Sequence, residues 1–210
     1  MEQRTPEWDE ARKGKMTCSR MAEAVGLIGS RRRLWRELTG RERDKWASAD
    51  GRIRMQDGVN YEPLAIAQYE QWIARPVEAA GFLMHPTLDW IGGSPDGLVS
   101  SLDPQSRSPC GGVEVKCPPT QYGRIPDYYM PQMQGLMEVT GRRWWDFVCW
   151  TPETMVINRV WRSPAYWEQL HTLLAEFWFY VEADIEPPVF ARGTKPKITA
   201  AVTSRLLHKG

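Results

Sequence analysis

The chain divides by the rhythm of its apolar positions. In the first third, short periodic segments sit between helix-start and helix-stop residues. One helix opens after Thr5-Pro6, since proline is tolerated at the first helical position. A second opens near Thr17 to Ser19 and stops at Gly26, and a third is capped by Ser30 and stops at Gly40. A longer helical stretch covers about residues 52–74, and Pro63, which lacks an N–H and crowds the preceding turn, requires the helix to start or bend there. From Val77 to Trp161 the rhythm changes to short apolar runs bounded by Gly, Pro and Asp. These predict strands over residues 81–85, 88–92, 97–100, 112–117, 144–150 and 155–161. Between the fourth and fifth, "DYYMPQMQGLMEVTG" has the length of a helix and closes on Gly141. After Ser163-Pro164, the residues Trp167, Leu170, Leu174, Phe177 and Val181 recur at steps of three and four, an amphipathic helix whose stripe is read as core. The outcome is a sheet with helical cover, an α/β or α+β fold.

Composition narrows this picture. A length of 210 residues holds one substantial core, so residues 1–190 are read as one domain and 191–210 as a basic tail with no acid after Glu186. The formal charge of +1 is too small for whole-molecule attraction to a polyanion, so nucleic-acid contact requires local clusters. Two runs qualify: Arg31, Arg32, Arg33 and Arg36; and Arg192, Lys195, Lys197, Arg205 and Lys209. The four cysteines are scattered without a C-x-x-C pair, which argues against zinc and iron–sulfur sites and for reduced thiols. With a polar N-terminus and no run of about eighteen uncharged apolar residues, the chain is read as soluble and cytoplasmic, with no membrane partner. The tryptophans fall mostly in strand-like runs, as with Trp145, Trp150 and Trp161, where burial is expected rather than base stacking.

Chemistry concentrates in "GGSPDGLVSSLDPQSRSPCGGVEVKCP", residues 92–118. In an extended strand residues i and i+2 share a face, so Glu114 and Lys116 project together while Val113, Val115 and Cys117 point the other way. Asp96, after Ser94-Pro95, opens an adjacent strand, and a hairpin between the two sets Asp96 beside Glu114. Carboxylates held that close repel unless a proton or cation intervenes, and a hard ion such as Mg²⁺ takes such oxygens. At a phosphodiester the ion polarises the phosphoryl oxygen and acidifies a bound water, while Lys116 holds that water and offsets charge growing on phosphorus. Alone, S-P-D-G is an ordinary turn and E-x-K an ordinary solvated strand face; their joint occurrence in order is what carries the reading.

P-D, a loop, then E-x-K resembles the PD-(D/E)xK nuclease superfamily. The longer resemblance is to the phage-lambda-type alkaline exonucleases of viral recombination, through "SPDGL", "VEVKCP" and "YYMPQMQGLMEVT", preceded by "ARKGKMTCS" and "VNYE". It implies a central mixed sheet flanked by helices, a restriction-endonuclease-like core. It also implies Asp96 and Glu114 as metal-binding carboxylates, the main-chain carbonyl of Val115 as a further oxygen, Lys116 as the catalytic lysine, Glu62 as an additional acid and Gln132 as a supporting glutamine. Arg12 and Ser19 match the segment that holds the 5′ phosphate of a DNA end, Ser19 standing where a helix begins. The implied cofactor is Mg²⁺, with Mn²⁺ as an alternative. The implied partners are double-stranded DNA ends, two further copies in a homotrimeric ring and a single-strand annealing protein. Tyr122 stands nearest to where the family can carry an arginine, and Arg124 is offset by two, so neither receives a role. The competing readings are an endonuclease on the same scaffold and a DNA-binding assembly module without hydrolysis.

Overall fold

The computed structural model describes residues 2–42, 49–100, 110–190, 195 and 197–210, without the side chains of 49–55. The polar loop 101–109 and Arg192 of the second basic run lie outside the described residues.

Both central strands were legible in the sequence, one from valines alternating with Glu114 and Lys116 and the other from an apolar run broken only by Asp146. β6 (Gly111–Lys116) pairs in parallel with β7 (Trp144–Trp150), and α5 (Met130–Thr140) makes the crossover between them. Every residue of β7 is buried, because helices cover both faces and the strand needs no polar alternation. On one face Trp145, Phe147 and Cys149 meet Met133, Leu136 and Met137 of α5 and Leu170, Leu174 and Phe177 of α6 (Pro164–Glu182). On the other, Val113, Val115, Trp144 and Val148 meet Ala65 and Tyr69 of α4 (Ala49–Ile73). The sheet continues antiparallel on both sides. β5 (Gly97–Val99) and β2 (Val77–Glu78) extend it beyond β6, and β8 (Met155–Trp161) and β9 (Ser204–Lys209) beyond β7. This is the mixed sheet flanked by helices that the sequence implied.

A smaller sheet joins β1 (Met16–Thr17), β4 (Ile91–Gly93) and β3 (Leu83–Met84). The predicted strands 81–85 and 88–92 shrink to these short pieces. The first helix forms as α1 (Pro6–Arg12), with the Thr5 side chain accepting from the Trp8 amide, and the third as α3 (Arg31–Leu38), capped by Ser30.

Three readings need correction. The helix expected from Thr17–Ser19 to Gly26 is instead β1, a 3₁₀ turn Cys18–Arg20 and one turn of α2 (Met21–Ala24). Parallel pairing of Met16 and Thr17 with Ile91 and Gly92 takes the backbone that a longer helix would have needed. Second, of the start or bend expected at Pro63 within the 52–74 stretch, the start is excluded: α4 runs through the proline. Proline removes one backbone bond and costs about 3 kcal/mol, which full burial of Ala65 and Tyr69 just downstream offsets. Third, the Arg31–Arg36 run is not an open basic patch. Arg31 is buried against Glu176, Arg33 pairs with Glu23 and Glu37, and Arg36 pairs with Glu186 at 2.6 Å. At the other end, basic Arg205 and Lys209 belong to β9, the edge strand paired to β8. No helix among the described residues is long and apolar enough to cross a membrane.

Candidate active site

β5 and β6 pair as Gly97 with Val113, Leu98 with Gly112 and Val99 with Gly111. The same register continued by one residue sets Asp96 opposite Glu114, as the hairpin argument required. Strand pairing stops there because the Asp96 carboxylate takes the place of a backbone partner: its Oδ2 accepts from the Val115 amide at 2.8 Å. Glu114 is 1% exposed and lies on the α5 face of β6. Its Oε1 accepts from Gln132 Nε2 at 2.6 Å and from Lys116 Nζ. Its Oε2 is buried with no hydrogen-bond partner. Lys116 lies two residues on, on the same face, with its ammonium also over the Tyr129 ring at 5.3 Å.

The electrostatics follow from burial. Loss of water, then the Glu114 charge, hold the Asp96 carboxyl well above the usual carboxylate range, against relief from Lys116 and the Val115 amide. Burial works against the Lys116 ammonium, but Glu114 and Asp96 outweigh it and hold the lysine above its ordinary value.

Two clefts meet at this point. A larger one, about 650 Å³, is lined by Glu62, Asp96, Val115, Lys116, Tyr122 and Arg4 among others. A smaller one, about 180 Å³, is lined by Arg12, Ser19, Ser94, Glu114 and Gln132, and shares Asp96 and Lys116 with the first. Glu62, on α4, is therefore in the larger cleft, ion-paired to Arg4 at 2.5 Å. Arg12 lies 3.8 Å from the centre of the Trp8 ring, and Trp8 Nε1 donates to Ser94 at 2.8 Å. Ser19 sits in the 3₁₀ turn, so the full helix dipole expected beneath it is absent; its hydroxyl instead lies 3.2 Å from that of Thr17. Arg124 is exposed. Sequence reasoning missed Ser94, whose signal was its place before Pro95-Asp96, and Arg4, which carried none.

The donors suit a hard divalent ion. A buried carboxylate oxygen without a partner and a second carboxylate one strand away are hard oxygen donors. Among the described residues no three His, Cys, Asp or Glu side chains gather to hold an ion by themselves.

A mixed sheet bearing paired acids and a lysine at the end of a hairpin, beside a phosphate-sized cleft, defines a nuclease-type α/β protein. Residues 7–143 match the YqaJ-like viral recombinase domain, and the chain belongs to that family. It is 33% identical to an alkaline exonuclease, LHK-Exo, from Laribacter hongkongensis, with a TM-score of 0.73 over 87% of this chain and 95% of that one. The structure of LHK-Exo in complex with dAMP gives 32% identity and a TM-score of 0.74 over the same shares. A phage-related exonuclease from Haemophilus somnus shares the fold at 14% identity, with a TM-score of 0.60 over 80% of this chain and 94% of that one. Among curated proteins the chain has no match. The protein is accordingly a nuclease of the alkaline-exonuclease type.

Proposed function

We propose that the protein is a Mg²⁺-dependent exonuclease that digests one strand of duplex DNA from its ends in the 5′-to-3′ direction, for viral-type homologous recombination. The observation that carries this reading is the meeting of the two clefts at Asp96 and Lys116, with Glu114 beside them. The nucleotide bound in the Laribacter enzyme supports it, since dAMP has the form of an exonuclease product.

Asp96, Glu114 and the Val115 carbonyl would hold the ion, with Glu62 near a second position. When bound, a divalent ion supplies a Lewis acid for the phosphoryl oxygen and a more acidic water. Lys116 acts as a cation, kept protonated by its acidic neighbours, and stabilises negative charge as it grows on phosphorus. Gln132 fixes the Glu114 carboxylate so that its buried oxygen stays presented. In the smaller cleft, Arg12 and the hydroxyls of Ser19 and Ser94 take the terminal 5′ phosphate, which places the next phosphodiester at the carboxylates. Mn²⁺ substitutes for Mg²⁺ in this scheme. A homotrimeric ring retains the enzyme on DNA, a single-strand annealing protein receives the exposed strand, and the work is done in the cytoplasm of a bacterial host.

The test is a time course on linear duplex labelled separately at each 5′ and 3′ end, alongside a closed circle, with and without Mg²⁺. Early loss of the 5′ label, only with Mg²⁺ and only from the linear substrate, is expected. Equal attack on the circle, or early loss of the 3′ label, overturns the proposal.

A further inference from the structure

Residues 2–12 lie against the loop that carries Asp96. Gln3 Nε2 donates to the carbonyls of both Ala80 and Pro95 at 2.7 Å, and Trp8 Nε1 donates to Ser94 at 2.8 Å. Between these anchors stands Arg4, with φ of 65, a left-handed conformation that non-glycine residues rarely adopt. Its side chain is 47% exposed and lines the larger cleft with Asp96 and Lys116. Its Nη2 meets Glu62 Oε2, and its Nε and Nη1 make no hydrogen bond among the described residues.

An ion pair this exposed contributes little to folding, so the pair alone does not offset a strained turn. Backbone strain that persists where a side chain faces a reactive cleft points to function. The cleft also needs another cation. Lys116 is committed to the phosphorus under attack, so the rest of a polyanionic strand entering past Glu62 and Asp96 meets one further cationic side chain among the described residues lining that cleft, Arg4. A planar guanidinium with free donors matches the oxygens of a phosphodiester.

We propose that Arg4 is a substrate-binding residue: its guanidinium takes a backbone phosphate of the strand entering the larger cleft, and Glu62 aims it. This rests on the nuclease reading above and adds a contact distinct from the 5′-phosphate cleft around Arg12.

The test uses full-length protein on a Lys116→Met background, which stops cleavage with Mg²⁺ present. Affinity for 5′-phosphorylated linear duplex is measured across a salt series for Arg4, Arg4→Ala, Arg4→Gln and Arg4→Lys, with melting temperature as the check on folding. Losing one phosphate contact should weaken binding about tenfold and reduce the log–log salt slope by about one. Arg4→Gln should behave like Arg4→Ala, and Arg4→Lys should keep the slope while recovering part of the affinity. With Lys116 intact, the preference for 5′-phosphorylated over 5′-hydroxyl ends should be unchanged in Arg4→Ala. A slope unaltered in folded Arg4→Ala and Arg4→Gln overturns the assignment and leaves Arg4 as a counter-ion of Glu62. A changed end preference also overturns it, by moving Arg4 into the 5′-phosphate cleft. Failure of wild-type protein both to bind and to degrade linear duplex overturns the nuclease reading itself.

Discussion

Replacing Gln132 with leucine isolates the group that holds Glu114 in place. Gln132 donates to Glu114 Oε1 at 2.6 Å, and Glu114 is 1% exposed, so water does not substitute freely for the lost donor. A hydrogen bond to a charged group contributes about 1.5–3 kcal/mol. For a chain of this size each kcal/mol corresponds to roughly 2–4 °C, so Gln132→Leu should melt about 3–12 °C lower in EDTA. A second effect is separable from the first. With Lys116 as its remaining partner, the carboxylate no longer presents Oε2 in a fixed direction, and loss of such an orienting contact typically costs about 10- to 100-fold in metal affinity or activity. The assay is nucleotide release titrated with Mg²⁺, beside thermal melts with EDTA and with Mg²⁺. The half-saturating Mg²⁺ concentration should rise and the stabilisation by Mg²⁺ should shrink. An unchanged melting temperature together with an unchanged Mg²⁺ midpoint would refute the role given to Gln132.

Other outcomes follow from the same geometry. Arg12→Ala should slow digestion of 5′-phosphorylated ends more than of 5′-hydroxyl ends, read as the ratio of initial rates; an unaltered ratio removes Arg12 from the phosphate cleft. The Asp96 carboxyl is held well above its ordinary range by burial and Glu114, so the metal-free fold favours its protonated form. The unfolded chain ionises first as pH rises, so stability in EDTA should fall from the ordinary carboxylate range upward, and Asp96→Asn should flatten that part of the melting profile. Asp146 is fully buried, accepts from Arg159 at 2.8 Å through both oxygens and from Tyr69 at 2.7 Å. Arg159→Met should therefore destabilise by about 3–5 kcal/mol, and adding Asp146→Leu should recover much of that by removing the stranded charge.

Local patterns made most of this fold legible. The alternation of β6 put Glu114 and Lys116 on one face, the Gly141 stop is realised at φ 67, and the three-and-four spacing after Ser163 became α6. What escaped depends on partners distant in sequence. β1 exists because Met16 and Thr17 meet Ile91 and Gly92, and β9 exists because β8 offers an open edge; neither stretch carries a strong strand pattern of its own. The arginine run read as a basic cluster because Glu176 and Glu186, which pair with three of its members, lie far along the chain. Around the site, spacing located Asp96, Glu114 and Lys116, while Glu62 and Gln132 were placed by family resemblance. Arg4 was invisible because its place in the cleft is set by the lie of residues 2–12 across the Asp96 loop, whereas Ser94 was marked only by its position before Pro95-Asp96.

The central claim is that Lys116, with the Asp96–Glu114 pair, performs hydrolysis rather than DNA binding. Single-turnover release of mononucleotide from linear duplex at saturating Mg²⁺, compared between wild type and Lys116→Met, tests it most directly. The account predicts a fall of about 100-fold or more, with duplex affinity within roughly threefold of wild type. A Lys116→Met rate within a few-fold of wild type would contradict it.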